Sequence, residues 1–373
     1  MTPNELFDVL SPFLCAPGNG VYTVFTGKEK KEKLWQVLFN TWDIKQVEHE
    51  HQKKLNAHLA QSHSYSPVWL MGIPSDSGGG ILRGANWGPL AIRETLIDQL
   101  YKKNIIFDLG DIRVIPHLLH DKYLNEETIK NCRLALYQDA SLCYPVSALS
   151  ITEHVCRHLL TYGNGKILGL GGDHSCSYPL TLTYFEKCKT LKKNAALIHF
   201  DAHTDLLDLR LGIDLCFGTW AYHILKALPS PAHLVQIGIR SSGQTKQHWE
   251  NTLGIKQHWA TEVKARGVKA ISQDIIEHLK QRDVETLYIT FDIDALDAEY
   301  ASTTGTPEKN GLSPDQATLI IEQLAQHFLV GGADIMEVAP YTLADVCDFK
   351  KAQEKTLSSA LCIVTVLCQA MNK

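Results

Sequence analysis

The stretch AALIHFDAHTD, residues 195–205, places an unbroken apolar run directly before a cluster of aspartate and histidine side chains. Six further short apolar runs also end in glycine, proline or a charged residue. Unbroken runs of this length are typical of strands that are buried on both faces of a parallel sheet. The predicted strands are residues 68–73, 104–109, 166–170, 195–200, 234–239, 286–291 and 331–335.

Helical patterns separate these runs, for example over residues 89–101 and 261–280. The alternation predicts an α/β fold: a three-layer, doubly wound, mostly parallel sheet with helices on both faces. In that architecture, polar residues just beyond the carboxyl ends of the strands line the site. Residues 1–65 are instead rich in lysine, histidine, glutamine and asparagine. We interpret them as an N-terminal extension packed on the main catalytic domain, residues 66–373.

The composition of the chain indicates which partners and which cellular compartment to expect. The chain has 373 residues and a formal net charge of −5, whereas a general nucleic-acid binder needs a basic face. Its ten cysteines are scattered, and residues 1–20 show no secretory pattern, so we expect the reduced cytoplasm. The most apolar helical stretch, residues 357–371, is shorter than the roughly 20 residues of a membrane span. We therefore expect neither a nucleic-acid nor a membrane partner.

Three predicted strand ends carry candidate metal ligands: GGDHS at 171–175, DAHTD at 201–205, and DID at 292–294 followed by Asp297. Side chains of extended backbone alternate between faces, so alternate residues within a cluster point the same way. Four carboxylates that converge in this way would repel one another, and two divalent cations would remove the repulsion. A water bridging those cations becomes a nucleophile near neutral pH. The residues expected to converge are His174, Asp201, His203, Asp205, Asp292 and Asp294.

A structural role is the alternative for each residue taken singly. One aspartate after a strand is usually a cap or turn residue, and Asp173 reads as a partner that orients His174. Three such clusters at strand ends favour the metal interpretation. No cysteine lies in the clusters, which argues against a thiolate zinc site. Carboxylate and imidazole ligands suit manganese, but also iron, cobalt, nickel or zinc, and spacing does not choose among them.

These motifs resemble those of the ureohydrolases, a family that includes arginase, agmatinase, guanidino-acid hydrolases and formimidoylglutamase. GGDHS, DAHTD and FDIDALD (291–297) resemble the family's three metal motifs. The resemblance covers about residues 66–373. It extends to GPLAIR at 88–93, DLGD at 108–111, GTP at 305–307 and DIMEV at 334–338.

The resemblance implies that the six converging residues bind two manganese ions bridged by hydroxide. It implies that Glu337 orients the amidine carbon over that hydroxide, because a carboxylate matches the forked donors of a guanidinium. It also implies a catalytic role for Asp205 and a substrate contact for Thr306. A small-molecule guanidino or formimino substrate follows, and by analogy a homo-oligomer, either a trimer or a hexamer.

The sequence departs from the family pattern at two places. Phe217 stands where arginases and agmatinases carry a histidine thought to shuttle protons, so His223 is our candidate for that role. Lys264 stands where an arginase segment has an acidic residue that contacts the substrate's α-amino group. An ammonium there would repel an amine and bind a carboxylate, which argues against L-arginine as substrate. A surface lysine is the structural alternative.

Three functions remain. The first is an active hydrolase of a linear amidine, related to agmatinase, guanidino-acid hydrolase or formimidoylglutamase. The second is a metal-binding family member with altered catalysis and a regulatory or binding role, which Phe217 and the N-terminal extension motivate. The third, a two-metal phosphoesterase, ranks last because no basic phosphate clamp accompanies the clusters.

Overall fold

A computed structural model describes residues 1–20, 28–61, 66–78, 80–101, 106–341 and 348–373. In chain order the strands are β1 (Leu14–Cys15), β2 (Val68–Ile73), β3 (Phe107–Ile112), β4 (Lys166–Gly171), β5 (Ala195–Phe200), β6 (Leu234–Ile237), β7 (Lys256–His258), β8 (Thr286–Asp292) and β9 (Leu329–Met336). The helices are α1 (Pro3–Leu10), α2 (Lys28–Phe39), α3 (Ile44–Gln61), α4 (Gly88–Leu96), α5 (Glu126–Tyr137), α6 (Ala148–Tyr162), α7 (Ser177–Thr190), α8 (Trp220–Ile224), α9 (Lys246–Leu253), α10 (Ala260–Arg266), α11 (Val268–Lys280), α12 (Pro314–Leu324) and α13 (Phe349–Met371).

The strands form one sheet in the order β1-β3-β2-β4-β9-β8-β5-β6-β7. β1 runs antiparallel to β3, and the other neighbouring pairs are parallel. Parallel neighbours need crossover connections, which the helices supply. The predicted α/β fold with a doubly wound, mostly parallel sheet is therefore confirmed.

Alternate residues of the central strands enter two separate cores, one on each face of the sheet. In β2, Val68 and Leu70 pack into a core with residues of α4, α11, α12 and α13. Trp69 and Met71 face the other way, into a core with residues of α1, α3, α6, α7 and α8. Strands covered on both faces are mostly apolar, which explains the nearly continuous apolar runs in the sequence.

The predicted strands agree with the structure within a few residues at their ends. The prediction over 104–109 is displaced: β3 begins at Phe107, and residues 104 and 105 lie outside the described part of the chain. The predicted strand over 234–239 ends at Ile237, because Gly238 has a φ of 101°, which turns the chain out of the extended conformation. This turn ends the strand two residues early.

The predicted helix over 261–280 consists of two helices, α10 and α11. Gly267 separates them with a φ of 79°, a conformation that no residue of a right-handed helix adopts. The helix predicted over 89–101 is α4 continued by one π turn over Ile97–Tyr101. No helix among the described residues is long and apolar enough to cross a membrane.

The N-terminal residues contribute to the sheet as well as to its cover. β1 pairs with the edge of β3, and Leu6, Leu10 and Phe13 are buried in the core that contains α6 and α7. α3 contacts β3, and α2 contacts α4. The first residues thus complete one edge of the fold, and a domain boundary at residue 65 stays a prediction.

Candidate metal centre

Four neighbouring strands at the middle of the sheet, β4, β9, β8 and β5, bring the candidate ligands together. His174 follows the end of β4, and Asp201 follows β5. Asp292 ends β8, and Glu337 follows β9. Because parallel strands present their carboxyl ends at one edge, these side chains meet in a single cleft.

The first group of ligand atoms surrounds Nδ1 of His174. This nitrogen lies 3.0 Å from Oδ2 of Asp201, 3.3 Å from Oδ2 of Asp205 and 3.1 Å from Oδ2 of Asp292. All four side chains are buried. Three carboxylates therefore converge on one imidazole nitrogen.

The second group surrounds Nδ1 of His203. It lies 3.4 Å from Oδ1 of Asp201 and 3.2 Å from Oδ2 of Asp294. Asp201 therefore belongs to both groups, with one oxygen facing each histidine. A carboxylate placed in this way is suited to bridge two ions. The other nitrogen of His203 lies 3.7 Å from Glu308.

A hydrogen-bond chain fixes the orientation of His174. Thr290 donates its hydroxyl to Asp334 at 2.6 Å, so its oxygen accepts from Nε2 of His174 at 3.0 Å. With its proton on Nε2, the ring points a lone pair from Nδ1 toward the carboxylates. That nitrogen is buried and has no hydrogen-bond partner among the described residues. A cation between these atoms satisfies both the lone pair and the carboxylates, so the residues fit a metal site.

Electrostatics also favour a positive charge in this cleft. Burial lowers the pKa of His203, but the neighbouring charges of Asp294 and Asp201 outweigh it and raise the pKa to about 12. Burial and repulsion by Asp294 and Asp201 raise the pKa of Asp292 well above its ordinary range. The carboxylates thus attract protons wherever no other cation balances them.

His199, which the sequence analysis missed, also contacts the cluster. Its Nδ1 accepts a hydrogen bond from the Gln236 amide at 2.9 Å, so its Nε2–H donates to Asp201 at 2.8 Å. His199 therefore orients the Asp201 carboxylate. Both of its ring nitrogens are used in hydrogen bonds, so it has no lone pair left for a metal ion. Residues 199, 201 and 203 are two apart, and this spacing was the available signal. Trp220 similarly donates to Asp205 at 2.8 Å.

The turn after β4 requires glycine. A Cβ at Gly172 would lie 1.5 Å from the Ser75 carbonyl oxygen, so no side chain fits there. Asp173 then accepts the N–H of Ser175 at 2.9 Å and the hydroxyl of Ser77 at 2.8 Å. Asp173 therefore shapes the turn that presents His174, which is the orienting role the sequence suggested.

Two residues of the cleft have strained backbone. Asp205 has a φ of 52° and Glu337 a φ of 62°, in the left-handed region that non-glycine residues rarely occupy. Such conformations cost about 1–3 kcal/mol each and cluster at functional sites. Glu337 is held there by its N–H, which bonds the Gly172 carbonyl at 2.8 Å.

A cavity of about 550 Å³ opens onto the cluster, a size typical of small-molecule sites. Glu337 lines it, and Oε1 of Glu337 accepts the His174 N–H at 2.9 Å. Thr306 also lines it and donates to Oδ2 of Asp294 at 3.0 Å. Phe217 forms part of the outer wall.

Three other residues singled out from the sequence lie elsewhere. The His223 ring hydrogen-bonds the Asp208 carbonyl at 2.8 Å, and Lys264 lies on α10 with its ammonium 4.0 Å from Asp297. Neither is among the described residues that line the cavity. Asp297 accepts the N–H groups of Glu299 and Gly311, so it shapes a turn. We therefore leave His223 and Lys264 out of the site.

The chain combines a doubly wound sheet with a buried aspartate–histidine cluster at the ends of the central strands. This combination is the one found in proteins of the arginase fold. The family model described as the Arginase family matches residues 66–364. An agmatinase from Chromobacterium violaceum is 31% identical over 319 residues, which is 82% of this chain and 84% of the relative.

The human mitochondrial guanidino acid hydrolase is 30% identical, over 73% of this chain and 71% of the relative. Among solved structures, a hypothetical agmatinase from Burkholderia thailandensis has a TM-score of 0.59 at 27% identity, over 82% of this chain and 86% of that one. The chain belongs to the arginase family. It is accordingly a hydrolase of carbon–nitrogen bonds in linear amidines.

Proposed function

We propose that the chain cleaves a guanidino or formimino substrate with two divalent metal ions, most suitably Mn²⁺. The observation that carries the proposal is the Asp201 carboxylate, whose two oxygens face different histidines. The metal ligands would be His174, Asp201, His203, Asp205, Asp292 and Asp294. Oxygen and imidazole donors suit manganese. When bound, such a pair lowers the pKa of water and supplies hydroxide near neutral pH.

Glu337 would hold the amidine group. The His174 N–H fixes Oε1, and the carboxylate can accept the forked donors of an amidinium or guanidinium from the cavity. Holding the planar carbon in one place lowers the barrier to attack. Thr306 lines the same cavity and would contact the substrate.

Asp205 would accept the proton of the attacking water. Trp220 fixes its Oδ2, and the residue lines the cavity. Guanidino substrates would release urea, and formimino substrates would release formamide. Phe217 offers no titratable group to the cavity, so the leaving amine would take its proton from water entering from the mouth, and the hydroxide left behind would recover the proton held by Asp205.

Phe217 also motivates the second candidate, a metal-binding member of the family with altered catalysis and a regulatory role. The two functions differ in one property, which is turnover at full metal content.

The decisive experiment is a screen of manganese-loaded protein with agmatine, 4-guanidinobutyrate, guanidinoacetate, arginine and formimidoylglutamate. Urea and formamide are detected separately. We expect turnover of at least one compound, and a loss of about 100-fold or more in Glu337→Gln, because a charged group that binds the reacting group is removed. Metal content should stay unchanged in that variant. Absence of turnover for all five compounds in fully loaded protein would favour the regulatory role.

Two further proposals concern the cellular compartment and the oligomeric state of the chain. The described cysteines are all free, which suits a reducing compartment such as the cytoplasm. A homo-oligomer, trimer or hexamer, is proposed by family analogy alone.

A further inference from the structure

The mouth of the cavity carries a cation that no residue of the described structure neutralises. Arg210 is exposed and lines the cavity, and no carboxylate of the described residues forms an ion pair with it. Its guanidinium carbon lies 4.5 Å from the centre of the Phe217 ring. This stacking holds the charge against the cavity wall and leaves its N–H donors available.

The backbone that carries Arg210 is fixed by a tight turn. The N–H of Arg210 bonds the Ile213 carbonyl at 2.9 Å, and the N–H of Ile213 bonds the Arg210 carbonyl at 3.0 Å. Leu211 and Gly212 between them have φ values of 51° and 85°, the pattern of the two-residue turn that closes hairpins. Arg210 is thus presented by an ordered loop, which lowers the cost of binding a ligand.

Charge is distributed unevenly along the cavity. The acidic residues among its described lining are Asp205, Asp292 and Glu337, and all three are buried at the inner end. The exposed end contains Arg210 and His248 and no acidic side chain. A substrate whose amidine end lies on Glu337 therefore places its tail beside a cation. An ammonium tail would be repelled there, and a carboxylate tail would be bound.

We propose that Arg210, held on Phe217, binds a carboxylate on the substrate tail, so that the chain acts on guanidino acids or formimino acids in preference to amines such as agmatine. This inference rests on the proposed function. Arg210, which lines the cavity, takes the carboxylate-binding role that the sequence predicts for Lys264. Arg210 determines specificity, and Phe217 positions it.

The test compares agmatine with 4-guanidinobutyrate, which differ mainly in the charge of the tail. The wild type should favour 4-guanidinobutyrate in kcat/KM. Arg210→Gln should lower kcat/KM for that compound by about 10- to 100-fold, the usual size of a charge-assisted contact. Most of the loss should appear in KM, because the tail contact is the same in ground and transition states. Agmatine turnover should stay the same or rise.

Arg210→Lys keeps the charge without the fork and should recover part of the loss. Phe217→Leu should raise KM for 4-guanidinobutyrate by a few-fold, about the worth of one cation–π contact, with little change in kcat. Arg157→Gln is the matched control, since this exposed arginine lies on α6 and pairs with Glu153. This variant should leave kcat/KM unchanged for both substrates.

Binding provides a readout that is independent of turnover. Calorimetry on metal-free protein should show weaker binding of 4-guanidinobutyrate by Arg210→Gln than by the wild type. The inference fails if Arg210→Gln lowers kcat/KM for both substrates equally, or if Lys264→Gln removes the carboxylate preference instead. A wild type that turns over agmatine better than 4-guanidinobutyrate also overturns it, while leaving the proposed amidine hydrolase intact. Failure to hydrolyse either compound or any other amidine would instead overturn the proposed function.

Discussion

The inner and outer ends of the cavity are built in different ways. At the inner end, each candidate ligand follows or ends a strand of a buried sheet, and the buried Thr290 and His199 orient His174 and Asp201. At the mouth, Arg210 lies on an exposed loop and is held by one aromatic ring. The fold determines the inner geometry, whereas loops can change at the mouth without disturbing the sheet. Chemistry and specificity are thus encoded in separate parts of the chain.

Removing the shared carboxylate should produce the largest effect. In Asp201→Ala, both ligand groups lose an oxygen, so we expect loss of both metal ions and at least about a 1000-fold drop in kcat, as when an essential electrostatic group is removed. Metal analysis and steady-state kinetics check this. Asp297→Asn is the matched control, because Asp297 shapes a turn and should keep metal and activity. Retention of both ions in Asp201→Ala would refute the shared-ligand assignment.

The convergence of the six side chains was predictable because parallel strands present their carboxyl ends at one edge of the sheet. The expected alternation of extended backbone does not hold in detail, because Asp205 has a φ of 52° and Asp294 lies in a 3-10 helix over Ile293–Ala295. His199 was missed because a histidine inside the apolar run 195–200 resembles a core residue. Thr290 and Asp334 were missed for the same reason, since both lie inside strands and act only through hydrogen bonds to other buried groups.

The positions of His223 and Lys264 were not predictable in this way. His223 was chosen because it follows Phe217 closely in sequence, but its ring turns to the Asp208 carbonyl. Lys264 was chosen by its position in a resembling segment, but it lies beside Asp297. Both residues lie on short helices, His223 on α8 and Lys264 on α10, and the sequence does not show how such a helix packs beside the cleft.

A second prediction tests whether the inner end depends on its orienting groups. Thr290→Val preserves shape but removes the acceptor for the Nε2–H of His174, so the ring is free to turn. We expect metal affinity to fall about 10- to 100-fold, the usual effect of losing such a partner. Chelator competition measures it. Ser272→Ala removes a buried hydroxyl that has no hydrogen-bond partner in the described part of the chain, and it should leave the affinity unchanged. Equal affinity in both variants would mean that packing alone orients the ring.

The smallest expected effect concerns Asp214, which anchors the loop that carries Arg210 at the mouth of the cavity. Asp214 follows the Arg210 turn and accepts hydrogen bonds from Lys122, at 2.7 Å, and from the Tyr123 hydroxyl. Burial is the largest single influence and raises the pKa of Asp214, but the contacts with Lys122 and Tyr123 together outweigh it and lower the pKa to about 2, from a usual value of 3.8. Because the folded-state pKa is the lower one, the contribution of this anchor is complete above pH 3.8 and is lost as the pH falls toward 2.

Asp214→Asn should therefore loosen the mouth at any working pH without touching the metal ions. Both partners are more than a third exposed, so screening limits the effect to a few-fold rise in KM for a carboxylate substrate, the scale of a surface ion pair of at most about 1 kcal/mol. Tyr123→Phe should shift KM in the same direction, whereas Asp139→Asn, an exposed aspartate in another turn, should not. Steady-state kinetics reports on the mouth of the cavity, and metal analysis reports on the cluster at its inner end. If Asp214→Asn lost metal together with specificity, the mouth and the cluster would be one mechanical unit, and the separation of chemistry from specificity would be wrong.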